Sequence, residues 1–292
     1  MSVFLTTATR VLVQGITGRI GAVQTKWMLD CGTNVVAGVT PGKGGASVED
    51  VPVFNTVAEA VAETGADSSV IFVPAAFVRN AFAEAAAAGI RRIVVVPEHV
   101  PVHDVMAMRA LARREGVTAL GPTTPGVLVP DVGKMGIMPS SLFLPGHVGI
   151  VSRSGTLAYE FAGLLTAAGI GQSTAIGMGA DPVVLTDLAD ILRMFEDDRS
   201  TRAVVIVGEV GGAQEEDSAA FIAESMAKPV AAYIAGKNVP EGKRMGHAGA
   251  IVRGSKGTAA SKETALRDAG VHLLGTPADV VKWARDVSSL SE

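Results

Sequence analysis

Short runs of apolar, β-branched residues alternate with longer, alanine-rich segments along most of the chain. This alternation is typical of α/β domains, in which each helix connects two parallel strands. The pattern predicts N-terminal strands at 10–14, 34–39, 69–73, 93–96 and 117–120, and helices up to about Gly32 and at 56–65, 77–88 and 105–115. It predicts C-terminal strands at 148–151, 173–177, 203–207 and 230–234, and helices at 156–168, 185–195, 215–226, 262–269 and 277–287.

A proline-rich segment separates these two alternating halves. Prolines interrupt helices and central strands, and they recur here at Pro122, Pro125, Pro130, Pro139 and Pro145. We therefore predict two parallel α/β domains, at 1–122 and 147–292, joined by a connecting segment at 123–146.

Composition narrows the class of protein. Apolar residues make up 48% of the 292 residues and charged residues 18%, which predicts a well-buried globular chain and excludes a disordered one. The net charge of −4, without a dense stripe of Lys and Arg, argues against a nucleic-acid partner. No apolar stretch approaches the roughly 20 residues that span a bilayer, and the N-terminus lacks a secretory pattern, so no membrane partner is expected. The single cysteine, Cys31, fits a reducing compartment, and we expect a cytoplasmic location.

The first predicted strand leads into a glycine turn, GITGRIG at 15–21, followed by a helix. Glycines let the backbone approach a diphosphate, and the helix N-terminus offers free N–H groups. The spacing differs from the G-x-G-x-x-G of most dinucleotide sites, so a tight turn without a ligand is the alternative. An NAD site also needs an acid after the second strand, whereas this chain has Lys43 in a glycine-rich loop. Arg19 and Lys43 suit the additional 3′-phosphate of coenzyme A (CoA), unless Lys43 is simply solvated.

A second group of candidate residues surrounds His247, which follows the predicted strand at 230–234. This histidine lies among glycines, after Lys243 and Arg244, at the strand edge where ligands bind in parallel sheets. A lone loop histidine is often structural or exposed, but two other segments favour a nucleophile. The segment SRSGT at 152–156 offers an anion cradle at a helix start. Glu209, unless it is an exposed loop acid, can bind one imidazole nitrogen and raise the nucleophilicity of the other.

Six motifs in order carry a family resemblance over the whole chain. They are QGITG at 14–18, GVTPGKGG at 38–45, PVFNTV at 52–57, SRSGTL at 152–157, GEVGG at 208–212 and GHAGAI at 246–251. The chain resembles the α subunits of the succinyl-CoA synthetase (succinate–CoA ligase) family. The resemblance implies a Rossmann-like CoA-binding domain followed by a flavodoxin-like ligase domain that carries a phosphohistidine. It also implies a β subunit with an ATP-grasp fold, which binds ATP or GTP with Mg²⁺, in an αβ or α2β2 assembly.

The resemblance also implies a role for each matching residue. His247 is similar to the phospho-accepting histidine, and Glu209 is similar to the glutamate that orients it. The positions similar to CoA contacts are Thr17, Gly18, Arg19, Ile20, Lys43, Val96, Pro97 and Glu98. The positions similar to the phosphate-stabilising helix start and the acid-substrate site are Ser154, Gly155 and Thr156, and Tyr159. No metal ligand is implied in this chain.

The implied reaction is a step of the tricarboxylic acid cycle. It converts succinate, CoA and a nucleoside triphosphate into succinyl-CoA, the diphosphate and phosphate, reversibly, through an acyl phosphate and a phosphohistidine. The chain departs from the family near the implied reaction centre: Thr123 and Thr124 replace the usual Asn-Cys, Ala180 replaces a glycine, and residues 183–186 differ. Ala75 and Ala76 replace a proline-rich pair near the implied CoA pocket, and His99 replaces a glycine. Malate or another dicarboxylate therefore remains open as the acid, and a non-catalytic CoA-binding scaffold is a further alternative.

Overall fold

The computed structural model describes residues 4–237, 247–250 and 256–289. These residues form two compact units. The first comprises Phe4–Met138 and Val183–Thr186, and the second comprises Pro139–Pro182 and the described residues from Asp187 onward. No helix in the described part of the chain is long and apolar enough to cross a bilayer. Lys243, Arg244 and Gly246, named above beside His247, and Ile251 of the GHAGAI motif lie outside the described residues.

The first unit is a Rossmann-like parallel sheet with helical connections. Its elements are β1 Val11–Gln14, α1 Arg19–Asp30, β2 Val35–Val39, β3 Ser47–Val48, β4 Val51–Phe54, α2 Val57–Thr64, β5 Ser68–Ile71, α3 Val78–Ala87, β6 Arg92–Val95, α4 Val102–Glu115, β7 Thr118–Leu120, β8 Gly126–Val129 and β9 Gly133–Gly136. The strand order β4-β2-β1-β5-β6-β7 is the 3-2-1-4-5-6 order of a Rossmann fold. The central strand β1 pairs parallel with β2 and β5, with Val13 beside Gly38 and Val70. The Rossmann-like prediction is confirmed.

Local sequence signals explain the helix boundaries of this unit. Thr56 caps α2 by accepting the N–H of Glu59, while Glu59 accepts the N–H of Thr56 in return, which completes a capping box. Gly65 ends the helix in the left-handed conformation with φ of +64°. The helix predicted at 105–115 starts earlier, at Val102, and Pro101 is its N-cap residue, whose carbonyl accepts the N–H of Val105 at 3.1 Å.

The proline-rich segment contains an antiparallel hairpin that the sequence pattern did not predict. Its two strands, β8 and β9, pair with each other, and Val127 lies opposite Met135. The hydroxyl of Thr33 donates to the carbonyl of Lys134 and accepts the N–H of the same residue, both at 2.8 Å. These bonds attach the hairpin to the chain just after α1. Gly126 weakens the strand pattern but permits the tight pairing, since a Cβ on this residue would lie 1.9 Å from the carbonyl oxygen of Met135.

The second unit has the strand order of a flavodoxin-like fold. Its elements are β10 Pro145–Ser152, α5 Gly155–Ala167, β11 Gln172–Gly177, α6 Leu188–Asp197, β12 Ala203–Glu209, α7 Gln214–Ser225, β13 Val230–Ala235, α8 Ala259–Asp268, β14 His272–Leu273 and α9 Asp279–Ser289. Within the unit the order is β14-β13-β12-β10-β11, which is the 2-1-3-4-5 order of flavodoxin-like domains. The pairing is parallel, with Ile150 beside Ala175 and Val205. This prediction is confirmed as well.

The helix predicted at 185–195 lies instead at Leu188–Asp197. The four residues before Asp187 belong to the first unit, where the N–H of Leu185 donates to the Gly121 carbonyl at 2.9 Å and the Thr186 hydroxyl donates to that of Ala119 at 2.6 Å. Asp187 then adopts extended backbone as the N-cap residue. Hydrophobic periodicity alone does not reveal that residues 183–186 bond to the first unit, so that the helix begins only after Asp187.

Candidate functional site

The glycine turn after β1 has a backbone that favours glycine. Gly15 has φ of +84°, and a Cβ on Gly21 would lie 2.2 Å from the Gly15 carbonyl oxygen, so α1 can start directly against the turn. Gly18 is the N-cap, and no side chain of the described residues caps this helix end. The N–H groups of its first turn are therefore available to an anion. Four of the CoA candidates lie exposed here: Thr17, Gly18, Arg19 and Ile20.

The loop that carries Lys43 is held beside this turn. The Thr17 hydroxyl donates to Thr40 Oγ1 at 3.1 Å, which joins the turn after β1 to the loop after β2. The two glycines that flank Lys43 donate their N–H groups to Asn55 Oδ1 at 2.9 and 3.0 Å. The Lys43 side chain is exposed between them. The loop backbone is thus fixed while its cation can reach a ligand.

A cavity of about 490 Å³ opens at the glycine turn. Thr17 and Gly18 line it, and most of the remaining wall is apolar, with contributions from Val39, Phe72 and Phe77. This volume lies within the range of small-molecule sites, about 300–1,000 Å³. The other CoA candidates are not among the lining residues: Arg19, Ile20, Lys43, Val96, Pro97 and Glu98. The last three follow β6, with the first two half-buried and the glutamate exposed.

In the second unit, His247 and Glu209 form a direct hydrogen bond. Nδ1 of the imidazole lies 2.7 Å from Oε2 of the carboxylate. The Glu209 side chain is 8% exposed, whereas that of His247 is 35% exposed. Because a carboxylate can only accept, the bond places the imidazole proton on Nδ1 and leaves Nε2 with its lone pair. Nε2 is therefore the nitrogen that could act as a nucleophile.

The glycines around Glu209 fix the backbone conformation at the end of its strand and so place its carboxylate beside His247. It is the last residue of β12, and it is followed by Gly211 and Gly212, whose φ angles are +86° and +65°. A Cβ on Gly208 would lie 2.5 Å from Oε1 of Glu215, so this glycine makes room for a second carboxylate. The GEVGG motif thus has a packing reason for Gly208 and a conformational reason for Gly211 and Gly212.

Arg153 connects the SRSGT segment to this acid. Its Nη2 lies 3.4 Å from Glu209 Oε1, and its Nη1 donates to the carbonyl oxygens of Glu209 and Gly211 at 3.2 and 2.6 Å. The side chain is buried, with 5% exposed. The segment after His247 also packs here, because a Cβ on Gly249 would lie 3.1 Å from Arg153 Nη2. Gly249 donates its N–H to the carbonyl of Ala180 at 3.0 Å, which places that departure from the family beside the histidine segment.

The SRSGT segment forms the start of α5. Ser154 is its N-cap and accepts the N–H of Leu157 at 3.4 Å. Gly155 and Thr156 form the first turn, and Tyr159 follows one turn later. Burial raises the pKa of the Tyr159 hydroxyl above its ordinary value. The described contacts connect this segment to Glu209 through Arg153, but they do not connect Tyr159 to His247.

Sequence reasoning missed two fully buried charged residues in this site, Glu215 and Lys262. Lys262 donates to the Glu215 carboxylate and to the carbonyl oxygens of Glu209 and Gly211, the latter two at 2.9 and 2.8 Å. Burial lowers its pKa below the ordinary value, although Glu215 opposes this effect. One signal was available: Lys262 stands four residues before Leu266, on the buried face of α8.

Two other departures from the family fall on unusual backbone. Thr123 has φ of +55° and His99 has φ of +62°, both in the left-handed region. A β-branched residue is strained there, whereas asparagine and glycine tolerate this conformation. Thr123 stands where the family has asparagine, and His99 where it has glycine.

Comparison with known proteins gives consistent matches over nearly the whole chain. The CoA binding domain family matches residues 6–99, and the CoA-ligase family matches residues 151–272. Subunit alpha 1 of the ADP-forming succinate–CoA ligase of Archaeoglobus fulgidus is 54% identical over 279 residues, which is 96% of each chain. Subunit alpha of the Staphylococcus epidermidis enzyme is 51% identical over 280 residues, or 96% of this chain and 93% of that one.

A solved structure is similar as well. It is the ATP citrate lyase of Methanothrix soehngenii in complex with citrate and coenzyme A, with a TM-score of 0.88 and 25% identity. The match covers 98% of this chain and 50% of the lyase, so the chain spans about half of that protein. The domain order, the fold and the relatives agree. The chain is thus a CoA ligase that belongs to the family of succinate–CoA ligase α subunits.

Proposed function

We propose that this chain is the α subunit of a succinate–CoA ligase and that His247 carries the phosphoryl group during the reaction. The observation that carries the proposal is the 2.7 Å bond between His247 Nδ1 and the buried Glu209 carboxylate. A carboxylate on Nδ1 raises the nucleophilicity of Nε2 and stabilises the positive charge that develops on the ring during attack.

The proposed reaction has three displacements. Nε2 of His247 attacks the γ-phosphorus of the nucleotide, and the diphosphate leaves. A carboxylate oxygen of the acid then attacks the phosphorus, which forms an acyl phosphate and returns the electron pair to Nε2. The CoA thiolate finally attacks the acyl carbon, and inorganic phosphate leaves. The start of α5, with Ser154, Gly155 and Thr156, provides N–H groups and a partial positive charge for the phosphoryl oxygens.

The nucleotide site belongs, in this proposal, to a β subunit. The sequence contains no G-x-x-x-x-G-K-[ST] loop, and the relatives are named as α subunits of ADP-forming enzymes. We therefore propose an ATP-grasp β subunit that binds ATP or GTP with Mg²⁺. Because a single cysteine fits a reducing compartment, we propose that the complex assembles in the cytoplasm.

CoA would bind at the N-terminal glycine turn. The uncapped start of α1 suits the diphosphate, and the exposed Arg19 and Lys43 suit the remaining phosphate charge. The adjoining apolar cavity suits a flat heterocycle such as adenine. Val96, Pro97 and Glu98, at the carboxyl end of β6, lie on the sheet edge where Rossmann folds bind ligands.

Succinate is the acid that the names of the relatives suggest, with Tyr159 at its site. Because Thr123, Thr124 and Ala180 depart from the family pattern, the identity of the acid substrate is the point to test. The chain is purified with its β subunit, and formation of the CoA thioester is followed with ATP or GTP and a panel of succinate, malate and citrate. We expect a succinyl-CoA product. A malyl or citryl thioester as the main product would change the substrate, and CoA binding without any thioester would favour the scaffold.

Two matched pairs assign the residues in the same assay. His247→Asn should abolish thioester formation, whereas His147→Asn should not, because the His147 ring bonds to the Ser200 carbonyl at 3.0 Å, away from Glu209. Lys43→Ala should raise the KM for CoA, whereas Lys26→Ala removes an exposed lysine that pairs with Asp30 and should leave it unchanged. Equal effects within either pair would contradict the assignment. Size measurement of the complex distinguishes αβ from α2β2.

A further inference from the structure

Two buried cations converge on the backbone that carries Glu209. Lys262 Nζ donates to the carbonyl oxygens of Glu209 and Gly211 at 2.9 and 2.8 Å. Arg153 Nη1 donates to the same two oxygens at 3.2 and 2.6 Å. Each carbonyl oxygen has two lone pairs and can accept both donors. The backbone on both sides of Val210 is therefore held by charge-assisted hydrogen bonds, which are about twice as strong as neutral ones.

Glu215 compensates this positive charge from α7. Its carboxylate accepts from Lys262, accepts the N–H of Glu209 at 3.2 Å, and lies 3.5 Å from Arg153 Nη1. Glu215 and Lys262 are both 0% exposed. A buried lysine without a counter-ion would be strongly unfavourable. The pair therefore contacts Glu209 at both its N–H and its carbonyl group.

We propose that the Lys262–Glu215 pair positions Glu209 against His247. The inference rests on the proposed phosphohistidine function. Neither member of the pair contacts His247 in the described structure; both act through the backbone of Glu209, whose carboxylate then reaches Nδ1 at 2.7 Å. A displacement of about 1 Å in a reacting group can lower a rate roughly 100-fold. The pair thus serves the orientation of the imidazole.

The direct test is Lys262→Met, which keeps the length of the side chain and removes its charge and donors. The matched control is Lys228→Met, since Lys228 also donates to backbone carbonyls, those of Phe195, Glu196 and Asp198 at the end of α6. Both variants are purified with the β subunit, and the initial rate of His247 phosphorylation from labelled nucleotide is measured. The tautomer of neutral His247 is measured by ¹⁵N NMR of the complex with labelled histidine in this chain, and His247→Asn assigns the signal.

We expect phosphorylation of Lys262→Met to be slower by roughly 10–100-fold, by analogy with substitutions of residues that orient metal-binding histidines. We also expect a smaller fraction of the tautomer that carries the proton on Nδ1, with the nucleotide KM unchanged. The control should keep the wild-type rate and tautomer. A purely structural role would not shift the tautomer of a folded variant, so a shifted tautomer distinguishes the proposed role from a structural one. A wild-type rate together with a wild-type tautomer in Lys262→Met would overturn the proposal.

Removal of one member of a buried ion pair can prevent folding. In that case the pair is replaced as a unit in Lys262→Met/Glu215→Leu, a type of change that is often neutral for stability. A folded double variant with slow phosphorylation supports the proposal, and one with the wild-type rate and tautomer overturns it. Absence of label on the wild-type chain would instead refute the phosphohistidine function itself, so the two failures are distinguishable.

Discussion

Replacement of Glu209 by glutamine tests whether this acid sets the tautomer of His247. The change keeps the shape of the side chain and removes its charge. Arg153 can only donate, and its Nη2 lies 3.4 Å from Glu209 Oε1, so the amide oxygen of the substituted side chain would face Arg153. The amide NH2 would then occupy the Oε2 position, 2.7 Å from Nδ1, and donate to the imidazole. The proton would be forced onto Nε2, which is the nitrogen that must attack.

The magnitude follows from two separate losses. A hydrogen bond to a charged group contributes about 1.5–3 kcal/mol, and each 1.36 kcal/mol corresponds to a factor of ten in rate. Simple removal of the acid in Glu209→Ala should therefore slow phosphorylation by roughly 10- to 150-fold. Glu209→Gln adds the wrong tautomer, and the equivalent exchange in a protease triad lowers the rate by about 10⁴-fold. The isosteric variant should be slower than the alanine variant.

The assay is the initial rate of label transfer to this chain in complex with the β subunit. Glu263→Gln is the matched control, because it makes the same exchange in a glutamate that pairs with Lys237. The control should keep the wild-type rate. A Glu209→Gln rate equal to or above that of Glu209→Ala would refute the account of the tautomer, and a wild-type rate in both would refute any role for Glu209.

Three further predictions concern stability. Ser154→Ala should lower the free energy of unfolding by about 0.5–1 kcal/mol, because it removes the α5 cap, whose bond is long at 3.4 Å. Ser154→Thr should restore most of this stability. An unchanged denaturation midpoint in Ser154→Ala would contradict the role of the cap. Thr123→Asn should raise the free energy of unfolding by up to about 1 kcal/mol, because asparagine tolerates the φ of +55° better than a β-branched residue. An unchanged or lower Tm in thermal denaturation would contradict this prediction. Tyr159 has a raised pKa, so the folded state retains its proton above about pH 10 where the unfolded state loses it, and stability falls as the pH rises there. In Tyr159→Phe this fall should be less steep, and equal slopes in alkaline denaturation curves would contradict it.

The fold was predictable from the sequence wherever hydrophobic periodicity and capping agreed. α2 shows this best, since Thr56, Glu59 and Gly65 mark its ends and the structure places it there. The pattern failed where long-range pairing decides the structure. Gly126 and Gly133 give no strand signal, yet they lie in the hairpin β8–β9, where a Cβ would come within 1.9 Å of the Met135 carbonyl oxygen or 2.8 Å of Thr33 Oγ1.

The candidate site was predictable in its outer parts and not in its interior. His247 and Glu209 could be paired from motifs, since Glu209 ends β12 and His247 follows β13, which pairs parallel with β12. Lys262 and Glu215 resemble ordinary surface charges on their helices. Apart from the spacing of Lys262 to Leu266, tertiary packing alone reveals that both are fully buried. The role of Lys262 leaves a weak signal in sequence, because its contacts with Glu215 and with the backbone of Glu209 span 47 and 53 residues of chain.

The central claim is that His247 accepts a phosphoryl group. The most direct measurement is to incubate the chain and its β subunit with γ-labelled ATP or GTP, and to examine this chain for label that is stable in base and labile in acid. We predict label on the wild-type chain, no label on His247→Asn, and loss of the label when the acid substrate and CoA are added. A verified complex that takes no label from either nucleotide, or a His247→Asn variant labelled as well as wild type, would contradict the claim.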